Sequence, residues 1–357
     1  MRPLQANIDS QSLIHNFKRA KAYSPHSKVM SVLKANAYGH GLIEVATTLN
    51  QSDGFSVLTL TEAIELREYG FNQEILMLEG FFERYEVCIA AQLNIGVTLH
   101  NQEQLNFILD EKPKKPIDIH LKVNTGMNRL GFLPKEVPGI LKVINASPFI
   151  GKIILMTHFA NADEAVGIAS QMKEFSSIKS EQLERSVANS AALIRYPESR
   201  LDWVRPGIML YGASPFEDTS VKELDLAPVM TLKSKIIAIQ SIKKGESVGY
   251  GSSFYAEDSM KIGIVACGYA DGYPRHAETG TPIMVNNIMT STIGRVSMDM
   301  LYVDMTHLKD ASIGSDVELW GKSVSVDSVA QKSGTVGYEL LCSISSTKRV
   351  PLRYLDA

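Results

Sequence analysis

Cysteine is scarce: Cys88, Cys267 and Cys342 are the three in 357 residues, widely spaced and odd in number. That excludes a disulfide framework and the paired spacing of a structural zinc site, and it suggests a reducing compartment. Excess charge of either sign is also lacking, with 36 Lys and Arg against 39 Asp and Glu and a net charge of −3. Such a chain has no general attraction for nucleic acid or an anionic membrane. Its one basic cluster, Lys112, Lys114 and Lys115, is interrupted by Pro113 and Pro116 and reads as a solvated loop. No apolar run approaches the length that spans a bilayer. The opening Met1-Arg2-Pro3-Leu4-Gln5-Ala6-Asn7 lacks the apolar core of a secretory signal. No Gly-x-Gly-x-x-Gly follows the first strand candidate, which weighs against a dinucleotide fold. No internal repeat or low-complexity tract is present. The expectation is a cytoplasmic protein with no nucleic-acid partner, no membrane partner and no metal site.

Residues 1–225 alternate short apolar runs with helical segments. The runs at 29–33, 54–58, 75–78, 95–99, 117–123, 153–157, 187–189 and 204–208 read as strands. The segments 41–50, 61–69, 82–93, 101–109, 134–145 and 165–185 carry apolar residues mostly at helical spacing. Thr61 reads as a helix start and Gly70 as that helix's end. Eight strands with crossovers is the count of a (β/α)8 barrel. A doubly wound sheet alternates in the same way, so periodicity leaves both open. The texture changes near Leu226-Ala227-Pro228. From there β-like runs at 230–240, 261–267, 282–294, 300–305 and 316–320 are separated by Gly, Asn and Asp. The one clear helical candidate among them is 325–332. The reading is an α/β barrel domain over 1–225 followed by a mainly β domain over 226–357, long enough for two cores.

Chemistry-bearing residues collect just after the strand candidates, where a barrel places its active site. Lys34 leaves the buried run Val29-Met30-Ser31-Val32-Leu33 and opens Lys34-Ala35-Asn36-Ala37-Tyr38-Gly39-His40-Gly41. An isolated strand-end lysine snorkels to water. A partly desolvated one loses its proton more easily and becomes an amine nucleophile suited to Schiff-base chemistry. Arg129 follows the fifth strand, His158 ends the sixth, Asn189 and Ser190 follow the seventh, and Arg205 sits in the eighth. Ser190 supplies a hydroxyl, and Gly207 in Val204-Arg205-Pro206-Gly207-Ile208 lets backbone N–H groups approach an anion.

The Lys34 stretch closely resembles the pyridoxal-phosphate attachment signature of the alanine racemase family. The resemblance extends along the chain. Leu121-Lys122-Val123-Asn124-Thr125-Gly126-Met127-Asn128-Arg129-Leu130-Gly131 is similar to the segment whose arginine binds the substrate carboxylate. His158 in Thr157-His158-Phe159-Ala160 is similar to the histidine packed against the coenzyme ring, and Arg205 to the arginine facing the pyridine nitrogen. The resemblance also implies cofactor contacts from Tyr38, Asn189, Ser190, Gly207, Ile208 and Tyr338, the last in Gly337-Tyr338-Glu339. Tyr250 in Val248-Gly249-Tyr250-Gly251 corresponds to a second catalytic base. Tyr269 and Arg275 in Gly268-Tyr269-Ala270-Asp271-Gly272-Tyr273-Pro274-Arg275 resemble the entrance, and Met298 in Gly294-Arg295-Val296-Ser297-Met298-Asp299 resembles a substrate contact through its backbone N–H. Lys122 aligns with a lysine that is carbamylated in some members. Two departures stand out. Asn124 replaces a common Asp, and Ser186 stands where some members have a His bonded to the arginine that faces the ring, which leaves open how Arg205 is oriented.

The resemblance implies an isomerase that interconverts L-alanine and D-alanine, the latter for peptidoglycan, by proton transfer between Lys34 on one face and Tyr250 on the other. It also implies a homodimer with shared sites. A tyrosine is a weak acid, so Tyr250 needs a positive or hydrogen-bonding environment to serve as a base near neutrality. A racemase for serine or for a broader set of amino acids shares the same features. A decarboxylase of related barrel type uses other residues downstream. A non-catalytic coenzyme-binding regulator resembles the barrel alone and leaves the β domain unexplained.

Overall fold

The computed structural model describes residues 2–180 and 182–355. The chain forms two compact units. One holds a barrel. The other takes in the N-terminal residues through Asn16, the short piece Tyr38–Gly41 and the chain from Tyr211 onward.

Strand β1 (Gln5–Asp9) precedes the barrel, whose strands are β2 (Lys28–Val32), β3 (Gly54–Val57), β4 (Glu74–Met77), β5 (Ile95–Leu99), β6 (Ile117–Lys122), β7 (Ile150–Met156), β8 (Glu184–Ser186) and β9 (Trp203–Val204). Each pairs in parallel with the next, and β2 closes the ring on β9 through Lys28 opposite Trp203 and Val29 opposite Val204. The (β/α)8 class expected from the alternation is therefore the one observed. Strands such as Lys28–Val32 and Glu74–Met77 are buried from their second residue on, because helices cover the outside while the barrel packs its own centre. Met30, Leu76, Ile154, Met156 and Trp203 form that central cluster.

The second unit contains β10 (Met230–Ile242), β11 (Ser247–Val248), β12 (Phe254–Tyr255), β13 (Met260–Val265), β14 (Pro282–Val285), β15 (Ile288–Ile293), β16 (Leu301–Asp304), β17 (Asp316–Trp320) and β18 (Leu352–Leu355). Its large sheet has the order β13-β16-β15-β14-β17-β10-β1-β18, and β10 also pairs with β13, so six strands form a closed circuit. The run 282–294 is a hairpin broken at Asn286 and Asn287, both left-handed (φ 47° and 63°), the geometry of a tight two-residue hairpin turn.

Several local readings differ from the structure. The helix expected over 165–185 is confined to Ala169–Ser176, and the seventh strand lies at Glu184–Ser186 instead of 187–189. Glu-Arg-Ser carries no apolar signal because its inward side chains meet polar partners. The helix after β3 is capped by Thr59, not Thr61: Glu62 N donates to the Thr59 hydroxyl at 3.2 Å, and the Glu62 carboxylate returns to Thr59 N at 3.1 Å. The β unit has a second helix, Gly337–Ser346, whose Gly start hid it. Arg205 lies one residue beyond β9.

Glu184 organises the barrel floor. It meets Lys152 at 2.8 Å and Lys28 at 3.3 Å, and accepts from Trp203 Nε1 at 2.6 Å. Both cations also lie over the Trp203 ring, 5.0 and 5.5 Å from its centroid. Burial alone would raise the Glu184 carboxylate. Hydrogen bonds from Lys152 and Trp203, with the charges of Lys152 and Lys28, outweigh burial and hold it at about 2. A carboxylate lowered in the folded state contributes stability that is complete above its ordinary value of 4.5 and lost as pH falls toward about 2. Glu184→Gln is therefore expected to lower the urea midpoint at neutral pH and to flatten its decline through that acid window. A midpoint unchanged at neutral pH would show that the floor network adds nothing.

Candidate active site

Lys34 ends the apolar run of β2 and is half-buried. The residues after it do something unusual. Ala35, Asn36, Ala37 and Tyr38 all take left-handed backbone angles (φ 52–56°), and Gly39 follows at φ 83°. The stretch forms one left-handed helical turn over Lys34–Gly39. Each non-glycine residue in that conformation costs roughly 1–2 kcal/mol, so the turn stores several kcal/mol. Strain of this size persists only where contacts over-determine it. Here Ala37 N donates to Leu33 O at 2.7 Å, Leu42 N to Asn36 Oδ1 at 2.9 Å, and the Tyr354 hydroxyl to His40 O at 3.0 Å. The His40 ring bonds Tyr38 O at 2.8 Å.

Gly39 is required by space as well as by φ. A Cβ there would lie 2.2 Å from Leu341 O. Gly39→Ala is expected to destabilise the fold by at least about 2 kcal/mol, as strained positions do. Urea unfolding measures this, and a midpoint within error of the parent would contradict the strained turn.

The end of β6, the loop after it and the residues just past β7 bring three expected residues to the barrel mouth. Phe132 N donates to Lys122 O at 2.9 Å and Asn124 N to Phe132 O at 2.9 Å, so residues 124–131 fold back on the strand end. Asn124 Oδ1 accepts from Gly126 N at 3.1 Å and Asn128 N at 3.0 Å, which is the work an aspartate would do at this position. Lys122, Arg129 and His158 then line one small concavity together with Thr125, Met127 and Thr157. The Lys122 ammonium is held well below its ordinary value, first by burial and then by the charges of Arg205, Arg129 and Lys34. His158 is also pushed well down, by burial first and then by Lys122, Arg205, Arg129 and Lys34. Its imidazole is neutral near pH 7. The mouth is thus strongly electropositive.

Arg205 is buried, and its orientation is well defined. Nη1 donates to Ser186 Oγ at 2.6 Å and Nη2 to Thr157 O at 2.7 Å. Ser186 is the acceptor that fixes the guanidinium. Both acceptors are neutral, Arg205 forms no ion pair, and Nε makes no hydrogen bond among the described residues. Burial lowers the guanidinium to about 10, which leaves it charged at neutral pH. Nearby, Asn189 caps the short helix Ser190–Arg195 by accepting from Ala192 N at 3.0 Å. The Ser190 hydroxyl accepts from Gly207 N at 2.9 Å and from Met209 N at 3.4 Å. The Gly207 amide is therefore turned to Ser190, and both residues lie beside buried Ile208.

The second unit holds the other expected residues. The Tyr38 ring stacks on Tyr211 at 4.7 Å and lies 6.1 Å from Tyr338, so the two tyrosines are neighbours. Burial, and then Tyr338 and Cys342, push the Tyr38 phenol up, so it stays protonated and can donate. Tyr250 is 72% exposed, sits between two left-handed glycines, and its hydroxyl makes no hydrogen bond among the described residues. Tyr269 and Met298 lie on interlocked loops: Tyr269 N donates to Ser297 O and Ala270 N to Met298 O, both at 3.0 Å. Buried Asp271 ties them down, taking Arg2 and Arg349 as ion-pair partners and accepting from Gly268 N at 2.9 Å. Arg275 is exposed.

Sequence reasoning missed Thr157 O and Tyr211 as supports. A backbone acceptor leaves no sequence signal. Tyr211 lies seven residues past the eighth strand candidate's start and shares no spacing with Tyr38.

Comparison with known proteins agrees along the whole length. The family model described as alanine racemase, N-terminal domain, matches residues 8–215, and that described as alanine racemase, C-terminal domain, matches residues 229–354. The alanine racemase of Nitrosospira multiformis is 48% identical over 96% of this chain and 98% of its own. The catabolic alanine racemase of Klebsiella aerogenes is 47% identical over 98% and 99%. Among solved structures, the biosynthetic alanine racemase of Pseudomonas aeruginosa superposes with a TM-score of 0.96 at 43% identity over the full length of both chains. That of Acinetobacter baumannii gives 0.94 at 41% identity over 99% of this chain and all of its own. Motifs, barrel, β unit and relatives agree: the chain belongs to the alanine racemase family.

Proposed function

We propose that this chain is a pyridoxal-phosphate-dependent isomerase that interconverts L-alanine and D-alanine, with Lys34 and Tyr250 as its two bases. The observation that carries this is the cationic barrel mouth. Lys122 feels the positive charges of Arg205, Arg129 and Lys34, and Lys122, Arg129 and His158 line one concavity. Such a donor set suits a phosphate-bearing aldehyde and an amino-acid carboxylate, which are both anionic. The unbonded Nε of Arg205 is a second fitting feature, since it is a donor that the protein's own acceptors leave available to a ligand.

When bound, pyridoxal phosphate supplies an electron sink that makes the Cα–H bond of an amino acid acidic. Lys34 would hold it covalently, and its amine would move the Cα proton on one face. Tyr250 would move it on the other. Arg129 would hold the substrate carboxylate, and the backbone N–H of Met298 would add a hydrogen bond. Ser190, Gly207, Ile208, Tyr38 and Tyr338 would hold the phosphate, with Asn189 shaping the turn. His158 would pack against the ring as a neutral imidazole. Arg205 would face the ring nitrogen and, keeping its own proton, would leave that nitrogen unprotonated, which would restrain side reactions. Tyr269 and Arg275 would border the entrance.

Lys122 fits a carbamate. Its depressed ammonium gives up a proton more readily than a free lysine, and the neutral amine can form an N–C bond to carbon dioxide with loss of a proton. The resulting negative charge would sit among three cations. The exposed, unbonded Tyr250 supports a homodimer in which a second copy completes each site. Among the described residues, no helix is long and apolar enough to cross a membrane, and a cytoplasmic location is part of this reading.

The test is direct. Purified protein should convert L-alanine to D-alanine faster than serine or basic amino acids. Borohydride reduction and peptide mass mapping should place the coenzyme on Lys34. An adduct on Lys122, or a fully folded preparation that takes up no coenzyme, would sink the assignment.

A further inference from the structure

Three polar atoms in the barrel interior have no partner. Ser56 Oγ, Thr98 Oγ1 and His120 Nδ1 are all fully buried and make no hydrogen bond among the described residues. They belong together. Inward-facing residues of a parallel barrel fall into tiers contributed by alternate strands. Following the register from β3 through β9 puts Ser56, Thr98, Met156 and Arg205 in one tier. His120 and Ser186 lie in the tier just below it, and Thr98 is the register partner of His120. The unpartnered atoms therefore belong to the tier of Arg205 and the tier just below it, where the guanidinium meets Ser186.

Bulky branched side chains dominate most barrel tiers. Here two of the four positions are the small residues Ser56 and Thr98, and Arg205 is drawn aside to Ser186 and Thr157. A guanidinium has five N–H donors, and those two bonds use only part of them. Leaving each hydroxyl or ring nitrogen unsatisfied would cost about 1–3 kcal/mol. Buried water typically makes about three hydrogen bonds to such groups. We propose that the space beneath Arg205 is a hydration site, in which ordered water is bound by Ser56 Oγ, Thr98 Oγ1 and His120 Nδ1 and accepts from the guanidinium. This water completes the solvation of a buried cation whose protein acceptors are both neutral. The site lies wholly within the barrel and stands whether or not the coenzyme is bound.

Thr98→Val tests it by the sign of its effect, because valine keeps the shape and removes the hydroxyl. If water is bound, the variant loses a satisfied hydrogen bond. Its folded-to-unfolded ratio should fall about tenfold, the equivalent of a lost water-bridged bond. Combination with His120→Phe should then cost less than the sum of the two, since both act on the same water. If the space is dry, Thr98→Val removes an unsatisfied hydroxyl and leaves stability unchanged or raised, which overturns the proposal. A high-resolution crystal structure of the full chain reads the site directly. Density for water within hydrogen-bond distance of at least two of the three atoms is the expected result. A dry space, or a direct bond between the Thr98 hydroxyl and His120 Nδ1, would also overturn it.

Discussion

Arg205→Glu is expected to lower racemisation about 10²–10³-fold, the usual scale for removing one preorganised electrostatic group, while transamination of the same amino acid rises. The reasoning starts from two atoms. Nη1 and Nη2 are committed to Ser186 and Thr157, and Nε is the donor left over. A guanidinium lowered only to about 10 does not hand its proton away near neutrality. On the proposed role, in which Arg205 faces the ring nitrogen of the coenzyme, a carboxylate in its place would let that nitrogen hold a proton and would favour side reactions. The same exchange deprives the Ser186 hydroxyl and Thr157 O of their donors, so part of the loss could be structural. Arg205→Lys separates the two effects. Its ammonium keeps the positive charge but cannot span both acceptors as the planar fork does. Racemisation should then fall without a gain in transamination. Coenzyme content and the ratio of the two activities are the measurements. A glutamate variant that loses coenzyme yet keeps the parental ratio at each loaded site would refute the role.

The site was legible where chemistry is written in contiguous residues. Lys34 stands out because an apolar run ends on it and the stretch from Lys34 to Gly41 resembles the family's coenzyme-attachment signature. Arg129 and His158 were placed at strand ends by the same periodicity, and they share one concavity. What stayed hidden is polar or conformational. Glu184–Ser186 is a strand whose inward side chains meet ions and an arginine, so no apolar alternation marks it. Ser186 looked like a departure that left Arg205 loose, whereas its hydroxyl is the 2.6 Å acceptor that orients it. The left-handed turn after Lys34 is built from Ala, Asn, Ala and Tyr, of which only Asn takes that conformation readily. Distant contacts impose it, Leu341 against Gly39 among them, and no local reading reaches so far along the chain. Strand β1 was missed for a related reason: its partners, β10 and β18, lie more than two hundred residues away.

Mixing two inactive variants is expected to restore activity. Lys34→Ala and Tyr250→Phe each remove one of the proposed bases, and loss of a positioned base typically costs about 10²–10⁴-fold. Racemisation needs a proton taken from one face of a planar centre and returned to the other, so neither base substitutes for its counterpart. Lys34 and Tyr250 belong to different compact units of the chain. The Tyr250 ring is 72% exposed with a free hydroxyl, as expected of a group that finishes a site on a second copy. In a two-fold dimer the same patch serves both subunits. A heterodimer of the variants then has one site with both bases and one with neither. Random exchange of equal amounts makes about half the dimers mixed, each with half its sites intact, so recovery should approach about a quarter of the parental rate. Subunit exchange must be shown separately, by native mass spectrometry of differently tagged chains. Exchange without recovery would mean that both bases act within a single chain, and the exposed Tyr250 would then need another explanation.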